Sequence, residues 1–293
     1  MSAYNFKDFD AQFPDDSACL DFIFRARYAG HTCECGHKDC FHRRTKRRAY
    51  ECAWCGAQIY PTAGTIFHKS ETSLKSWFFA IFLFAKSKNG VAAKELQRQL
   101  GVTYKTAHRM GHKIRELMAA DGELFAGVVE ADETYIGGKR AGLRGRGALG
   151  KTPVIGVVQR RGGVCAKVMD RVTTARAIKL IRMNVKPGTT VNTDEFGIYN
   201  YVGKLGFPHG VVNHGRKEYV RGQVHTNTID GFWSQVKRSL DGTHHSVSPK
   251  YLQGYINEFA WRYSHRFAGE ELFASLVAKT GLTPAKAAGE TSI

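Results

Sequence analysis

The amino-acid sequence predicts a multidomain protein of the α+β or α/β class: a zinc ribbon, a helix-turn-helix, and then a mixed β-sheet flanked by helices. Three observations predict it. Five of the seven cysteines lie between positions 33 and 55, helical patterns fill residues 71–120, and short β-branched runs begin near residue 126. A chain of 293 residues is also long enough for more than one domain.

The charge of the chain indicates its partner. Lys and Arg number 43 against 26 Asp and Glu, a formal net charge of +17, and such an excess favours a polyphosphate such as DNA or RNA. The longest strongly apolar run, residues 77–85, is far shorter than the ~20 residues that a membrane span needs. The N-terminus lacks a secretory signal pattern. We therefore expect an intracellular protein with no membrane association.

The N-terminal elements are a short helical lead-in, residues 1–30, and a cysteine-rich segment, residues 31–68. Two residues separate Cys52 from Cys55, and the tight turn of this spacing brings two thiolates to one tetrahedral ion. In the earlier pair, Cys33 and Cys35, a single residue separates the two cysteines. The predicted Zn²⁺ ligands are Cys33, Cys35, Cys52 and Cys55. Because the first pair is irregular, the fourth position stays open, and the competitors of Cys33 are His37, Cys40 and His42.

A basic run lies between the two cysteine pairs. Five of the six residues from 43 to 48 are Arg or Lys, which suits contact with a phosphate backbone. The DNA contacts predicted here are Arg43, Arg44, Lys46, Arg47 and Arg48.

Residues 71–120 predict a buried helix followed by a helix-turn-helix. The buried helix is capped at Thr72-Ser73 and ended by Gly90. VAAKELQRQLGVTYKTAHRMGHKIRELM then gives two helices joined at Gly101, and the second buries residues 107, 110, 114 and 117 at helical spacing. Its opposite face carries donors suited to phosphates or purine edges. These predicted DNA contacts are Tyr104, Lys105, His108, Arg109, His112 and Lys113.

From residue 126 the pattern changes to strands. Three β-branched runs, a helical run, a fourth strand TTVNTDEFG and two helices near 228–240 and 249–266 predict one catalytic domain over residues 126–270. Residues 271–293 are expected to be a C-terminal tail. A Gly-rich basic loop interrupts the strands at 137–151. Its predicted DNA contacts are Lys139, Arg140, Arg144 and Arg146.

Carboxylates at strand ends indicate the chemistry. Asp132 and Asp194 each follow a buried strand, a placement that suits a hard cation better than it suits stability. Asp230 lies on a predicted helix whose apolar stripe can pack on the sheet. Lys237, seven residues later, falls within about 20° of it around the helix. Three such carboxylates describe a two-metal phosphodiester site, in which two Mg²⁺ ions lie about 3.5–4 Å apart.

These segments resemble DDE-type insertion-sequence transposases that carry an N-terminal zinc ribbon, over roughly residues 15–285. VVEADETYIGG resembles the first catalytic block, VNTDEFGIYNYV the second, and HTNTIDGFWSQVKRSLDGTHHSVSPKYLQGYINEFAWRYSHR the third. The resemblance implies an integrase-like RNase H fold for the catalytic core. It implies Asp132, Asp194 and Asp230 as ligands of Mg²⁺ (or Mn²⁺), with Lys237 assisting at the DNA.

The resemblance also implies partners and a location. Double-stranded DNA is expected, both terminal inverted repeats and target DNA, bound by a homodimer or a larger homo-oligomer in the cytoplasm of a prokaryote, at the nucleoid. One departure concerns the third acid: Asp230 stands where many relatives place Glu. Because some relatives vary this position to Asn or His, Asn227 at the same helix end is the alternative member of the site.

Two other functions remain open from the sequence. One is a non-enzymatic zinc-ribbon and helix-turn-helix DNA-binding regulator derived from a transposase. Intact acids argue against it, because a regulator gains nothing from negative charge beside DNA. The other is an RNase H-like nuclease that cleaves strands without joining them.

Overall fold

The structure is a computed structural model that describes residues 4–120, 122–137, 150–268 and 271–281. The chain divides into two compact units. The N-terminal unit comprises Met1–Ser87, Ala93–Leu117 and Ala268–Ile293, and the sheet unit comprises Lys88–Ala92 and Met118–Phe267.

The helices and strands of the described residues are named in chain order. The helices are α1 (Phe6–Gln12), α2 (Asp16–Tyr28), α3 (Leu74–Lys86), α4 (Ala93–Leu100), α5 (Tyr104–Leu117), α6 (Thr174–Asn184), α7 (Asn227–Ser239), α8 (Pro249–Ser264) and α9 (Glu271–Gly281). The strands are β1 (Phe41–Arg43), β2 (Tyr50–Cys52), β3 (Gln58–Ile59), β4 (Val128–Ile136), β5 (Thr152–Gln159), β6 (Val164–Val168), β7 (Thr190–Thr193), β8 (His209–Val211), β9 (Val220–Arg221) and β10 (Val224–His225).

Helix α3 is the centre of the N-terminal unit. The side chain of Ser73 accepts a hydrogen bond from the amide of Ser76 and caps the helix, as its sequence predicts. Most of α3 is buried, and its Phe82 ring lies 5.7 Å from the ring of Phe273 on α9. Residues 271–281, expected to belong to a C-terminal tail, are therefore a helix in the core of this unit.

The ribbon is a small antiparallel sheet in the order β1-β2-β3. Its buried cluster consists of Cys33, Cys40 and Cys52, with Phe41 packed against it. The ring of Tyr50 stacks on Phe24 of α2 with 3.7 Å between centroids. A cluster made mostly of cysteines buries little apolar surface, so the ribbon needs stabilisation from another source.

The sheet unit confirms the predicted fold class. Its five strands have the order β6-β5-β4-β7-β8; β4, β5 and β6 are antiparallel neighbours, and β7 and β8 run parallel to β4. A mixed sheet of this order with helices on both faces is the arrangement expected of an RNase H-like core. The fifth strand, β8, was not predicted, because three residues are too few to show a period-2 pattern.

The two faces of the sheet are covered by different helices. Val129 and Ala131 of β4 belong to a buried cluster with α6. Val154 and Val158 of β5 belong to a second cluster with α7 and α8. Because side chains alternate along a strand, and Asp132 pairs with Gly156 of β5, Asp132 lies on the face that α7 covers. No helix among the described residues is long and apolar enough to cross a membrane.

Candidate functional site

Three elements of the sheet unit bring the predicted acids together. Asp132 lies on β4, and Asp194 comes directly after β7, the parallel neighbour of β4. The sequence predicted Asp132 after the strand, but it lies inside β4. The parallel register pairs Glu130 with Asn192, each two residues before an acid, so the two carboxylates are neighbours. Asp230 lies in the first turn of α7, and Lys237 lies in its last turn.

The acids line one cavity of about 330 Å³. Its lining residues are Asp132, Glu133, Thr134, Tyr135, Lys151, Asp194, His214, Asp230 and Lys237. Three predicted acids and the predicted lysine therefore meet at one place. Asn227, the alternative to Asp230, begins α7 but does not line this cavity.

Hydrogen bonds from protein groups fix the orientation of the carboxylates. Asp132 accepts from the indole Nε1 of Trp233 at 3.1 Å, so a residue of α7 contacts the acid of β4. Asp194 accepts from the amide of Phe196 at 3.0 Å. The hydroxyl of Thr226 donates to Oδ2 of Asp230 at 3.1 Å. These hydrogen bonds hold the three carboxylates in fixed positions.

The electrostatics of the cavity favour a bound cation. Carboxylate oxygens of Asp132, Glu133 and Asp194 all lie within 4.8 Å of one another. Burial, and then the negative charges of Glu133 and Asp194, raise the pKa of Asp132 well above its ordinary value. Burial raises the pKa of Asp230 as well. Clustered carboxylate oxygens are the donors that Mg²⁺ and Mn²⁺ prefer, so this donor set fits a divalent cation.

Sequence reasoning missed five of the nine residues that line this cavity, and three of the five are Glu133, His214 and Lys151. Glu133 accepts a hydrogen bond from the hydroxyl of Tyr199 at 3.3 Å and lies beside Asp194, although strand alternation alone would place it away from Asp132. His214 follows the unpredicted strand β8, and its amide donates to Glu195 at 2.9 Å. Lys151 was seen only as part of a basic loop. The position of Glu133 directly after Asp132 was the feature of the sequence that could have indicated it as a site residue.

The four cysteines chosen from the sequence lie together in the N-terminal unit. The sulfurs of Cys33, Cys35, Cys52 and Cys55 lie within 4.8 Å of one another, and four thiols suit tetrahedral Zn²⁺. Of the competitors, Cys40 has its sulfur 3.3 Å from that of Cys52 but hydrogen-bonds the carbonyl of His37. The ring of His37 stacks on Trp54 at 4.4 Å.

The predicted DNA contacts fall into three groups. In the ribbon, Arg48 donates to the carbonyls of Ser70 and Thr72, at 2.9 and 3.1 Å, and pairs with Asp16, so its guanidinium supports the fold. On α5 all six predicted contacts have exposed or half-exposed side chains: Tyr104, Lys105, His108, Arg109, His112 and Lys113. Four loop residues lie outside the described part of the chain: Lys139, Arg140, Arg144 and Arg146.

Comparison with known proteins finds similarity to transposases and transposase-like proteins. Residues 124–264 match the family described as the ISXO2-like transposase domain. An uncharacterized protein in the transposable element ISH50 of Halobacterium salinarum is 29% identical over 233 residues, 73% of this chain and 77% of that protein. An uncharacterized transposase-like protein of Haemophilus influenzae is 29% identical over 98 residues, 33% of this chain and 78% of its own length.

Among solved structures, the Mos1 transposase paired-end complex with the left transposon end aligns with a TM-score of 0.27 and 13% identity, covering 70% of this chain and 79% of that one.

The family match spans the strands and helices that carry all three acids, from before β4 to the last residue of α8. The match of residues 124–264 to the ISXO2-like transposase domain agrees with the resemblance to DDE-type insertion-sequence transposases.

Proposed function

We propose that this protein is a DNA transposase that binds the ends of its element and catalyses Mg²⁺-dependent strand cleavage followed by strand transfer. The observation that supports the proposal most directly is the meeting of Asp132, Asp194 and Asp230 with Lys237 at one cavity of a transposase domain. Such a set of carboxylates has no use in a protein that only binds DNA, because it repels phosphate unless a cation is bound.

The residues of the cavity have separate roles in this proposal. When bound, divalent cations activate the attacking oxygen and stabilise the leaving oxygen of an in-line displacement. Asp132, Asp194 and Asp230 would hold them. Lys237 carries a fixed positive charge at the same cavity and neutralises a phosphate of the bound strand. Water attacks first, and the freed 3′-hydroxyl attacks target DNA in the second step, so no covalent enzyme–DNA intermediate forms.

The N-terminal unit would bind the DNA in this proposal. Helix α5 offers a basic, accessible face, and the ribbon, folded around Zn²⁺, offers Lys46 and Arg47 as exposed cations. The expected ligands are the terminal inverted repeats and the target duplex. Two element ends must be brought together, so we propose a homodimer or larger homo-oligomer on the DNA.

Strand cleavage and transfer on end-bearing duplex DNA test the proposal. We expect the wild type to give nicked and joined products in Mg²⁺, and Asp194→Ala to lose both by at least ~10³-fold, because a metal-holding carboxylate is removed. The matched control is Asp170→Ala, which removes a carboxylate with 95% of its side chain exposed that pairs with Arg176. It should retain activity.

Each alternative function gives a different result in the same assay. Equal behaviour of the wild type and Asp194→Ala would exclude catalysis by these acids and favour a DNA-binding regulator. Nicked product without any joined product would instead indicate a nuclease of the RNase H-like class.

A further inference from the structure

Glu130, two residues before Asp132 on β4, has a carboxylate with no exposed surface and an unusual number of donors. Oε2 accepts from the backbone amides of Thr228 and Ile229, at 2.8 and 3.0 Å. Oε1 accepts from the hydroxyl of Thr228 at 2.8 Å and from Nε of Arg160 at 2.7 Å. The carboxylate of a strand residue therefore binds the first turn of α7.

This contact replaces the cap that α7 lacks. Thr226 precedes the helix, but its side chain makes no capping hydrogen bond, and its hydroxyl donates to Asp230 instead. The amides that a capping side chain usually receives belong to the second and third helical residues, and these are the amides bound by Glu130. A negative charge at a helix N-terminus also interacts favourably with the helix dipole.

Arg160 extends the same connection to the segment before α7. Its guanidinium donates through Nε to Glu130, through Nη1 to the carbonyl of Gln223 at 2.8 Å, and through Nη2 to the carbonyl of His225 at 3.1 Å. The ring of His225 also lies 3.2 Å from Glu130. The hairpin β9–β10 and the start of α7 are thus tied to β4 through the ion pair of Arg160 with the buried carboxylate of Glu130.

We propose that Glu130 is a positioning residue for the active site, which sets the place of Asp230 relative to Asp132. Glu130 and Asp132 lie on the same face of one strand, about 6.6 Å apart along it. Asp230 is the next residue after Ile229, whose amide Glu130 holds. The bond from Glu130 to α7 therefore fixes the distance between two acids that must act on the same cations. The inference rests on the proposed function of these acids.

The proposal predicts a specific defect in Glu130→Gln. Glutamine keeps the shape of the side chain, but its NH₂ group replaces one oxygen that now accepts hydrogen bonds. This NH₂ group then faces other donors, so the first turn of α7 shifts. Since a misplacement of about 1 Å can cost ~10²-fold in rate, we expect strand cleavage to lose ~10²-fold in kcat with little change in KM for DNA. The affinity for Mn²⁺, measured by isothermal titration, should fall about tenfold or more.

The matched control is Glu258→Gln. Glu258 is equally buried and also pairs with an arginine, Arg262 of the same helix, at 2.7 Å, but it does not line the acidic cavity. Thermal melting should show lower stability for both variants. Only Glu130→Gln should also lose Mn²⁺ affinity. If Glu130→Gln does not fold, Thr228→Val removes one donor to Glu130 and should cause a smaller loss in the same direction.

Combination with Asp230→Asn separates positioning from a general structural role. If Glu130 acts through Asp230, Glu130→Gln adds almost nothing to the Mn²⁺ defect of Asp230→Asn, because interacting sites are not additive. Two results would overturn the positioning role alone. In the first, the losses of Mn²⁺ affinity in the two variants add up in the double variant. In the second, Glu130→Gln keeps full Mn²⁺ affinity while Asp230→Asn is impaired. An Asp230→Asn protein with unchanged affinity and cleavage would overturn both this inference and the proposed active site.

Discussion

At the scale of single residues, Gly156 allows α7 to approach the sheet. It lies opposite Asp132 on β5, and a Cβ atom built on it would lie 2.7 and 2.9 Å from two ring atoms of Trp233. Both distances are below van der Waals contact, and Trp233 is also the residue that donates to Asp132. Glycine at this position therefore lets an indole ring pack on the backbone beside the cavity that the three acids line.

Gly156→Ala should lower the free energy of unfolding by about 1–3 kcal/mol, the usual cost of overpacking a core. Chemical denaturation of the full chain measures the change. Gly231→Ala is the control on the helix itself: its Cβ would meet nothing within 4 Å, so the stability should rise by about 0.5–1 kcal/mol. Unchanged stability in Gly156→Ala would mean that Trp233 does not pack as described.

The site residues differ in how far their sequence reveals them. Asp132, Asp194 and Asp230 could be predicted because each stands beside a β-branched run or on an amphipathic helix, and all three line one cavity, with Asp132 inside β4 and not at its end. Glu130 was not found, since its role depends on hydrogen bonds to Thr228 and Ile229, about a hundred residues away. A buried acid in a strand has no local pattern that reveals its partner.

At the scale of elements, the ribbon depends on its cysteines. Its strands have two or three residues each, and its buried cluster is formed by three cysteines, so this cluster buries little apolar surface. The bound Zn²⁺ that we propose would supply the folding free energy.

Zinc removal should therefore unfold the ribbon. We expect about one Zn²⁺ per chain in purified protein. A chelator should remove it and abolish DNA binding. Cys55→Ser should reduce zinc content severely. The variants Cys33→Ser and Cys40→Ser identify the fourth ligand. We expect zinc content to fall in Cys33→Ser and to be retained in Cys40→Ser, because Cys33 belongs to the group of four sulfurs and Cys40 does not. The opposite pattern would assign Cys40.

The success of prediction also varied among elements. Helices such as α3, α5 and α7 span three turns or more, and their apolar spacing was long enough to predict them. β8 and the hairpin β9–β10 have strands of two or three residues, and tertiary pairing rather than local pattern forms them. His214, a cavity residue, lies between β8 and this hairpin, which explains why it was missed.

At the scale of the whole molecule, the net charge of +17 predicts DNA binding that weakens steeply with salt. In the double variant Lys105→Ala/Arg109→Ala, the slope of log K against log salt concentration should decrease in magnitude by about 2, since each lysine or arginine on a phosphate contributes about one. Fluorescence anisotropy over a salt series measures it. Arg98→Ala, which removes an exposed arginine already paired with Glu95 on α4, should leave the slope unchanged. An unchanged slope in the double variant would remove α5 from the DNA interface.

The position of α9 has a consequence for synthesis of the chain. Its Phe273 ring packs within 6.0 Å of the rings of Phe9 and Phe13, near the other end of the sequence. The residues of the sheet unit lie between these two segments along the chain. On the ribosome, therefore, the sheet unit is complete before the N-terminal unit can close its core, because α9 is translated last among the described helices. The N-terminal unit, which we propose binds DNA, therefore reaches its final form only after the sheet unit has been made.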